Sequence, residues 1–276
     1  EQPKPNPDFR MLPDFAVGNG YTFSMMGYSY PVNTLHSMTG PFYDKGDGFF
    51  GDTWLEVSSG QEGSALQWKR EWIGRVRKTA LIHTRSEGPV VALSTVDFSP
   101  LLQASADPVL RSIVRLVFVE NVTNHKLTNL WLRVRFIRGQ EVDGDGVVEY
   151  REARERRTHV LPSTNVLATE EGLDAPLGEL AEGQYKMVAV VYVLDDDEHL
   201  AGKTLAALKQ QQLEGDLLTA TRDAWLARLA PGLEITTPDL RVNDYLQATK
   251  VILLSQQAAT GAACVMCEYT RTWLRD

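Results

Sequence analysis

The sequence predicts a mainly β fold, an antiparallel sandwich that gives way to helices towards its C-terminal end. Three observations predict it. Turn-forming clusters recur at short intervals between Phe15 and Val193: Gly18-Asn-Gly20, Thr39-Gly-Pro41, Gly46-Asp-Gly48, Glu87-Gly-Pro89 and Asp143-Gly-Asp-Gly146. The runs between them are short, β-rich and often alternate apolar with polar residues. Beyond the acidic stretch Asp195-Asp-Asp-Glu198 the apolar spacing changes from two to three and four. Many short strands with little helix between them indicate two packed antiparallel sheets.

Taken in order, the segment Glu1–Asp8 is proline-rich and reads as an extended lead-in arm without a signal-peptide pattern. Gly18-Asn-Gly20 lacks the helix that a phosphate loop requires and reads as a turn. Arg111–Glu120 alternates and then becomes continuously apolar. In Leu127–Ile137, Leu130, Leu132, Val134 and Phe136 share one face, and Trp131, Arg133 and Arg135 share the other. The polar segment 121–126 between these two runs predicts a hairpin. Lys186–Leu194 reads as a buried strand. Ala201–Leu213 and Asp216–Leu229 read as helices, the second with a stripe of Leu218, Thr221, Trp225 and Leu229. Thr237 as N-cap and Pro238 at the first helical position open another helix, with Val242, Tyr245, Leu246, Thr249, Ile252 and Leu253 as its buried face. It runs to about Ala259 and ends at Thr260-Gly261. The expected organisation is a sandwich over residues 1–198, a helical linker over 199–235 and a third unit opening at 236–276.

Composition excludes several functions. The 276 residues carry a formal charge of -8 and a pI near 5.2, the wrong sign for neutralising phosphates along nucleic acid. Mean hydropathy is -0.23 and no apolar run spans a bilayer as a helix, so the composition is that of a soluble protein, cytoplasmic or secreted. Cys264 and Cys267 supply two thiols without a second pair, which argues against structural zinc or a disulfide scaffold. His36, His83, His125, His159 and His199 lack metal-ligand spacing, so no metal or other cofactor is expected. Asp143-Gly-Asp-Gly146 misplaces the glycine of a calcium loop and reads as a hairpin turn. Arg151–Arg157 mixes both signs and reads as a solvated face. The sequon Asn121-Val-Thr123 matters only in a glycosylating secretory route. Trp54, Trp68 and Trp72 could form a sugar platform, but packing in the sandwich core is the better reading.

The richest motif is Tyr269-Thr-Arg-Thr-Trp273-Leu-Arg275-Asp276. Aromatic rings give flat apolar faces, and Arg275 and Asp276 can grip hydroxyls through charge-assisted hydrogen bonds, which suits a sugar. On local chemistry alone a structural ion pair at a domain boundary is the better reading of Arg275-Asp276. The order of sandwich, helical linker with Trp225, Thr237-Pro-Asp239, a helix ending at Gly261-Ala-Ala263 and then Trp273-Leu-Arg275-Asp276 resembles glucoamylase-like enzymes of glycoside hydrolase family 15, bacterial and archaeal branch.

That resemblance implies a super-sandwich followed by the first helix of an (α/α)6 barrel. It implies that Tyr269, Trp273, Arg275 and Asp276 bind the non-reducing-end sugar of an oligosaccharide or polysaccharide. Inverting hydrolysis needs a general acid and a general base about 6.5–9.5 Å apart. The family places that pair on later barrel loops, no residue here matches it, and Glu268 reads as a solvated or structural carboxylate. The Cys264–Cys267 segment also departs from the family. The residues present are therefore expected to be inactive alone and to need the remainder of the barrel as partner, with neither nucleic acid nor membrane. Two rivals accompany this reading: a sandwich-plus-barrel glycoside phosphorylase of the cellobiose or maltose type, which the order Trp225…Thr237-Pro-Asp239 also suits, and a non-catalytic carbohydrate-binding module.

Overall fold

The computed structural model describes residues 15–26, 31–39, 51–102, 107–137, 141–143, 146–151, 154–162, 165–195, 200–232 and 234–256. Its strands in chain order are β1 (Phe15–Gly18), β2 (Phe23–Met26), β3 (Leu35–Thr39), β4 (Thr53–Ser59), β5 (Arg70–Arg75), β6 (Ile82–Glu87), β7 (Val91–Phe98) and β8 (Ser112–Asn121). There follow β9 (Leu127–Phe136), β10 (Glu141–Asp143), β11 (Gly146–Arg151), β12 (Arg154–Leu161), β13 (Leu167–Thr169), β14 (Gly172–Leu180) and β15 (Tyr185–Asp195). They form two antiparallel sheets, one ordered β1-β2-β3-β4-β9-β14-β13 and the other β10-β11-β12-β15-β8-β7-β6-β5. The sheets pack face to face, as the alternation of apolar residues requires. Leu55, Val57, Leu132, Val134 and Leu173 of the first sheet meet Leu93, Val117, Val119, Val188 and Val190 of the second in one core.

The eight-stranded sheet is apolar on both faces. Val188 and Val190 of β15 point into the inter-sheet core, whereas Ala189, Val191 and Val193 point outward into a second core beneath helices. This explains the continuous apolar runs of β8 and β15, since a strand covered on both sides does not alternate. The cover is α1 (Ala201–Lys209), a π turn at Leu213–Leu217, α2 (Leu218–Leu229) and part of α3 (Leu240–Gln256). Trp225 of α2 is completely buried there with Leu208, Leu213 and Leu217. An aromatic anchor of this size contributes about 3 kcal/mol or more.

Several expectations are corrected. Arg111–Glu120 and Leu127–Ile137 do not form a hairpin: β8 pairs with β7 and β15, and β9 pairs with β4 and β14, so residues 122–126 arch from one sheet to the other. The Asn121 side chain builds the arch. Its Nδ2 donates to the carbonyls of His125 (2.7 Å), Leu180 (3.0 Å) and Ala181 (3.0 Å), and its Oδ1 accepts from the backbone N–H (2.9 Å) and hydroxyl (2.7 Å) of Thr123. With Asn121 only 1% exposed, the sequon is not a glycan acceptor in the folded protein. Arg156, read as part of a solvated face, is buried, pairs with Glu149 and lies 5.6 Å from the rings of both Phe136 and Tyr192. Asp143 does pair with Gly146, as the hairpin reading requires.

The helical expectations shift as well. The first linker helix stops at Lys209, and the π turn fills the interval before α2. Helix α3 starts at Leu240, and its cap is Asp239, whose Oδ1 accepts from the Arg241 backbone N–H at 2.9 Å. Thr237 instead lies outside the helix and is latched by Asn243 of its first turn, Thr237 N donating to Asn243 Oδ1 (2.7 Å) and Asn243 Nδ2 to the Thr237 carbonyl (2.9 Å). The buried face of α3 is not the apolar stripe: Val251 and Ser255 are buried, while Leu240 (72% exposed), Val242, Tyr245 (63%) and Leu253 are open to solvent. Small residues win because α3 lies close against β1. A Cβ added to Gly18 would sit 2.7 Å from the Ser255 carbonyl oxygen.

Candidate functional site

Tyr269, Trp273, Arg275 and Asp276 lie outside the described residues, as do Cys264, Cys267, Glu268, Gly261-Ala-Ala263, His199 and the lead-in arm. What the described residues define is the seating of α3, the helix that precedes that motif in the sequence. Helix α3 is seated over β1 and the β5–β6 hairpin. Arg75 Nη1 donates to the Ala248 carbonyl at 3.0 Å, Arg77 pairs with Asp244 at 3.2 Å, and Lys78 reaches Glu234 at 3.4 Å. These three cations, with Asp244, Tyr245 and Gln247, line a cleft of about 450 Å³ between hairpin and helix. The hydrogen bonds from Arg241 hold the Asp239 carboxylate below its ordinary range, which favours the ionised cap.

The outer face of the seven-stranded sheet carries the other concentration of polar and aromatic groups. Antiparallel register places Trp54 beside Arg135, Glu56 beside Arg133 and Ser58 beside Trp131, with Gly172, Asp174 and Pro176 on the next strand. Arg135 is the hub: it donates to Asp174 at 2.7 Å and lies 3.7 Å from both Glu56 and Glu171. Arg133 donates to the carbonyl of Gln61, where the β4–β5 connection folds back over the sheet. Local sequence shows Arg133 and Arg135 on one face but not their partners, because Asp174 arrives from a strand about forty residues later.

Of the three tryptophans considered together, two converge. Trp54 and Trp68 line a cleft of about 250 Å³ with Pro31, Glu56, Ala65 and Gln67. Trp54 faces outward and is half-buried, and its Nε1 donates to Glu56 at 2.9 Å. Trp68 packs into the inter-sheet core. Trp72 lies elsewhere, on β5, 43% exposed and edge-on to His83 at 4.6 Å. The core alternative therefore holds for Trp68 only. The cleft exists because β3 leaves the edge of β4. Asn33 takes its place there, accepting from the Leu55 N–H (2.8 Å) and donating to the Leu55 carbonyl (3.2 Å).

Other ionisable groups are structural in their surroundings. Asp97 and Arg115 are fully buried and paired, with Thr95 also donating to Asp97 and Arg115 to the Asn33 carbonyl. Burial pushes the Asp97 carboxyl up, and the Arg115 charge and the two donors pull against it. Glu71 is also raised by burial, against donors from Ser86 (2.8 Å) and the Val32 backbone. His36 contacts Asp52 at 2.6 Å. A further cleft of about 710 Å³ lies between the outer face of β12 and β15 and the turn joining α1 to α2. Among the described residues, no group of three or more metal-ligating side chains is placed to hold a metal ion, and no helix is long and apolar enough to cross a membrane.

No protein-family model matches the chain, and no curated protein matches its sequence. Among solved structures, a protein assigned as a kojibiose phosphorylase from the human microbiome is similar at 10% identity and a TM-score of 0.45, over 84% of this chain and 35% of that one. The family GH92 alpha-mannosidase BT3965 from Bacteroides thetaiotaomicron is similar at 10% identity and a TM-score of 0.34, over 88% of this chain and 38% of that one. The chain thus spans little more than a third of either protein.

Proposed function

We propose that this chain is the sandwich-bearing part of a carbohydrate-active enzyme, of the glucoamylase-like type that removes terminal α-glucosyl residues with inversion. The observation that carries the reading is the course of the chain around α3. The helix is fixed to the sandwich by buried Val251 and Ser255 and by the bond from Arg75 to the Ala248 carbonyl, while Leu240, Val242, Tyr245 and Leu253 remain exposed. A helix with apolar residues left over after it has docked is what the first helix of a helical barrel requires. In the sequence it precedes Tyr269, Trp273, Arg275 and Asp276, residue types suited to grip a pyranose. In this reading the sandwich buttresses the barrel, residues 236–276 open it, and the catalytic carboxylates belong to later barrel loops. No cofactor is needed.

A glycoside phosphorylase is the second reading, favoured by Trp225 and the Thr237-Pro-Asp239 segment, which here are the buried anchor of α2 and the latched cap of α3. The test is glucose release from maltooligosaccharides by the natural polypeptide that carries these residues, with and without inorganic phosphate. Activity independent of phosphate supports hydrolysis, and strict dependence on phosphate supports phosphorolysis. Arg275→Ala and Asp276→Asn should each lower kcat/KM by about 10- to 100-fold, the scale of a lost hydrogen bond to a charged group. Variants as active as the wild type would remove these residues from the site.

A further inference from the structure

We propose that the cleft between Trp54 and the 65–68 segment is a binding subsite for one ring of a neutral oligosaccharide, separate from the C-terminal motif. The inference rests on the carbohydrate reading above and adds to it a second place where sugar is held.

The cleft has the three parts that pyranose recognition demands. Its aromatic wall is the half-buried, outward-facing indole of Trp54, which offers apolar surface to the C–H face of a sugar, with Pro31, Leu66 and the edge of core-packed Trp68 completing the lining. Its acceptor is Glu56, a carboxylate already oriented by the Trp54 N–H at 2.9 Å and by Arg135 at 3.7 Å, with oxygen lone pairs left for hydroxyl donors. Its amide is Gln67, exposed at the rim and, among the described residues, held by a single 3.4 Å contact to the Ala65 carbonyl. Preorganisation of Glu56 matters, because a group already held in place loses less freedom on binding.

Size and charge narrow the ligand. At about 250 Å³ the cleft lies just below the range of pockets that enclose drug-sized molecules, so it admits one ring of a longer chain. A carboxylate on its wall and a formal charge of -8 over the chain disfavour phosphorylated or uronic sugars. The cleft is also built into the fold and is not a loose gap. Asn33 fills the hydrogen bonds that a neighbouring strand would have made to Leu55, and the Leu66 N–H bonds to the Val57 carbonyl at 2.7 Å, which fixes both sides.

The test is titration of the whole protein with maltotriose and, separately, with glucuronate, followed by calorimetry and tryptophan fluorescence. The expected result is saturable maltotriose binding and none for glucuronate. Trp54→Ala should weaken maltotriose binding roughly tenfold. Glu56→Gln should weaken it by a similar factor, about tenfold, because the charged acceptor is lost while the shape is kept. Trp72→Ala, outside the cleft, should bind as the wild type does. Should Trp54→Ala fail to fold, Glu56→Gln decides alone. Wild-type affinity in Glu56→Gln together with wild-type affinity in any folded Trp54→Ala overturns the proposal, as does the absence of saturable binding. Glucose release measured in parallel keeps the two readings apart: release without binding at this cleft removes the subsite and leaves the enzyme assignment standing.

Discussion

Replacing Gly18 by alanine puts a methyl group where the Ser255 carbonyl of α3 sits. The added carbon would lie 2.7 Å from that oxygen and 2.8 Å from Cδ2 of Phe23. An ordinary contact starts at 3.4 Å, so the carbonyl must retreat by about 0.7 Å. The Phe23 ring can tilt, but Ser255 belongs to a hydrogen-bonded helix whose own hydroxyl is tied to the Val251 carbonyl at 2.7 Å, so the whole last turn moves with it. Overpacking of this kind costs about 1–3 kcal/mol. In a protein of this size each kcal/mol lowers Tm by about 2–4 °C, so Gly18→Ala should melt roughly 2–12 °C earlier. The assay is thermal unfolding by circular dichroism, paired with hydrogen exchange read on peptides from α3 and, as an internal control, α2. Exchange should rise in Leu240–Gln256 and stay constant in Leu218–Leu229. An unchanged Tm with unchanged protection of α3 would refute the claim that this helix is seated on β1.

Three further outcomes follow from the buried charges. Glu71 holds its proton to higher pH in the folded protein than in the unfolded chain, so folding binds protons and stability contributed at this site falls as pH rises above the ordinary glutamate value through the raised one. Glu71→Gln keeps an acceptor for Ser86 and Val32, so it should melt above the wild type at pH 8, with the gap closing towards pH 4; a gap independent of pH would contradict this. Arg115→Met strands Asp97 without its cation and should cost about 3–5 kcal/mol in urea unfolding. The double variant Arg115→Met with Asp97→Leu should recover most of that loss, and additive costs would show that the two charges are not coupled.

The β class and much of the strand content are legible because alternation and turn clusters are local signals. Val134 inward and Arg135 outward could be read directly from β9. Pairing is a different matter. β8 and β9 are joined by five residues without a glycine, Val122–Lys126, and a short polar link serves a hairpin or an arch equally until the partners β15 and β14 are known. The buried face of α3 misled for a related reason. Periodicity identifies the apolar stripe, but the close approach to Gly18 selects Ser255, whose value lies in being small. Trp54 and Trp68 are fourteen residues apart, and only the departure of β3 from β4 opens the space in which they meet. The Arg135 cluster is not legible locally because Glu56, Glu171 and Asp174 come from separate stretches of chain.

The central claim is that this sandwich serves an enzyme acting on α-glucosides, and proton NMR of freshly released sugar tests it most directly. With maltotriose as substrate, the natural polypeptide carrying these residues should liberate glucose first seen as the β-anomer, with no need for phosphate. Failure to cleave any α-linked glucoside, with or without phosphate, would contradict the claim.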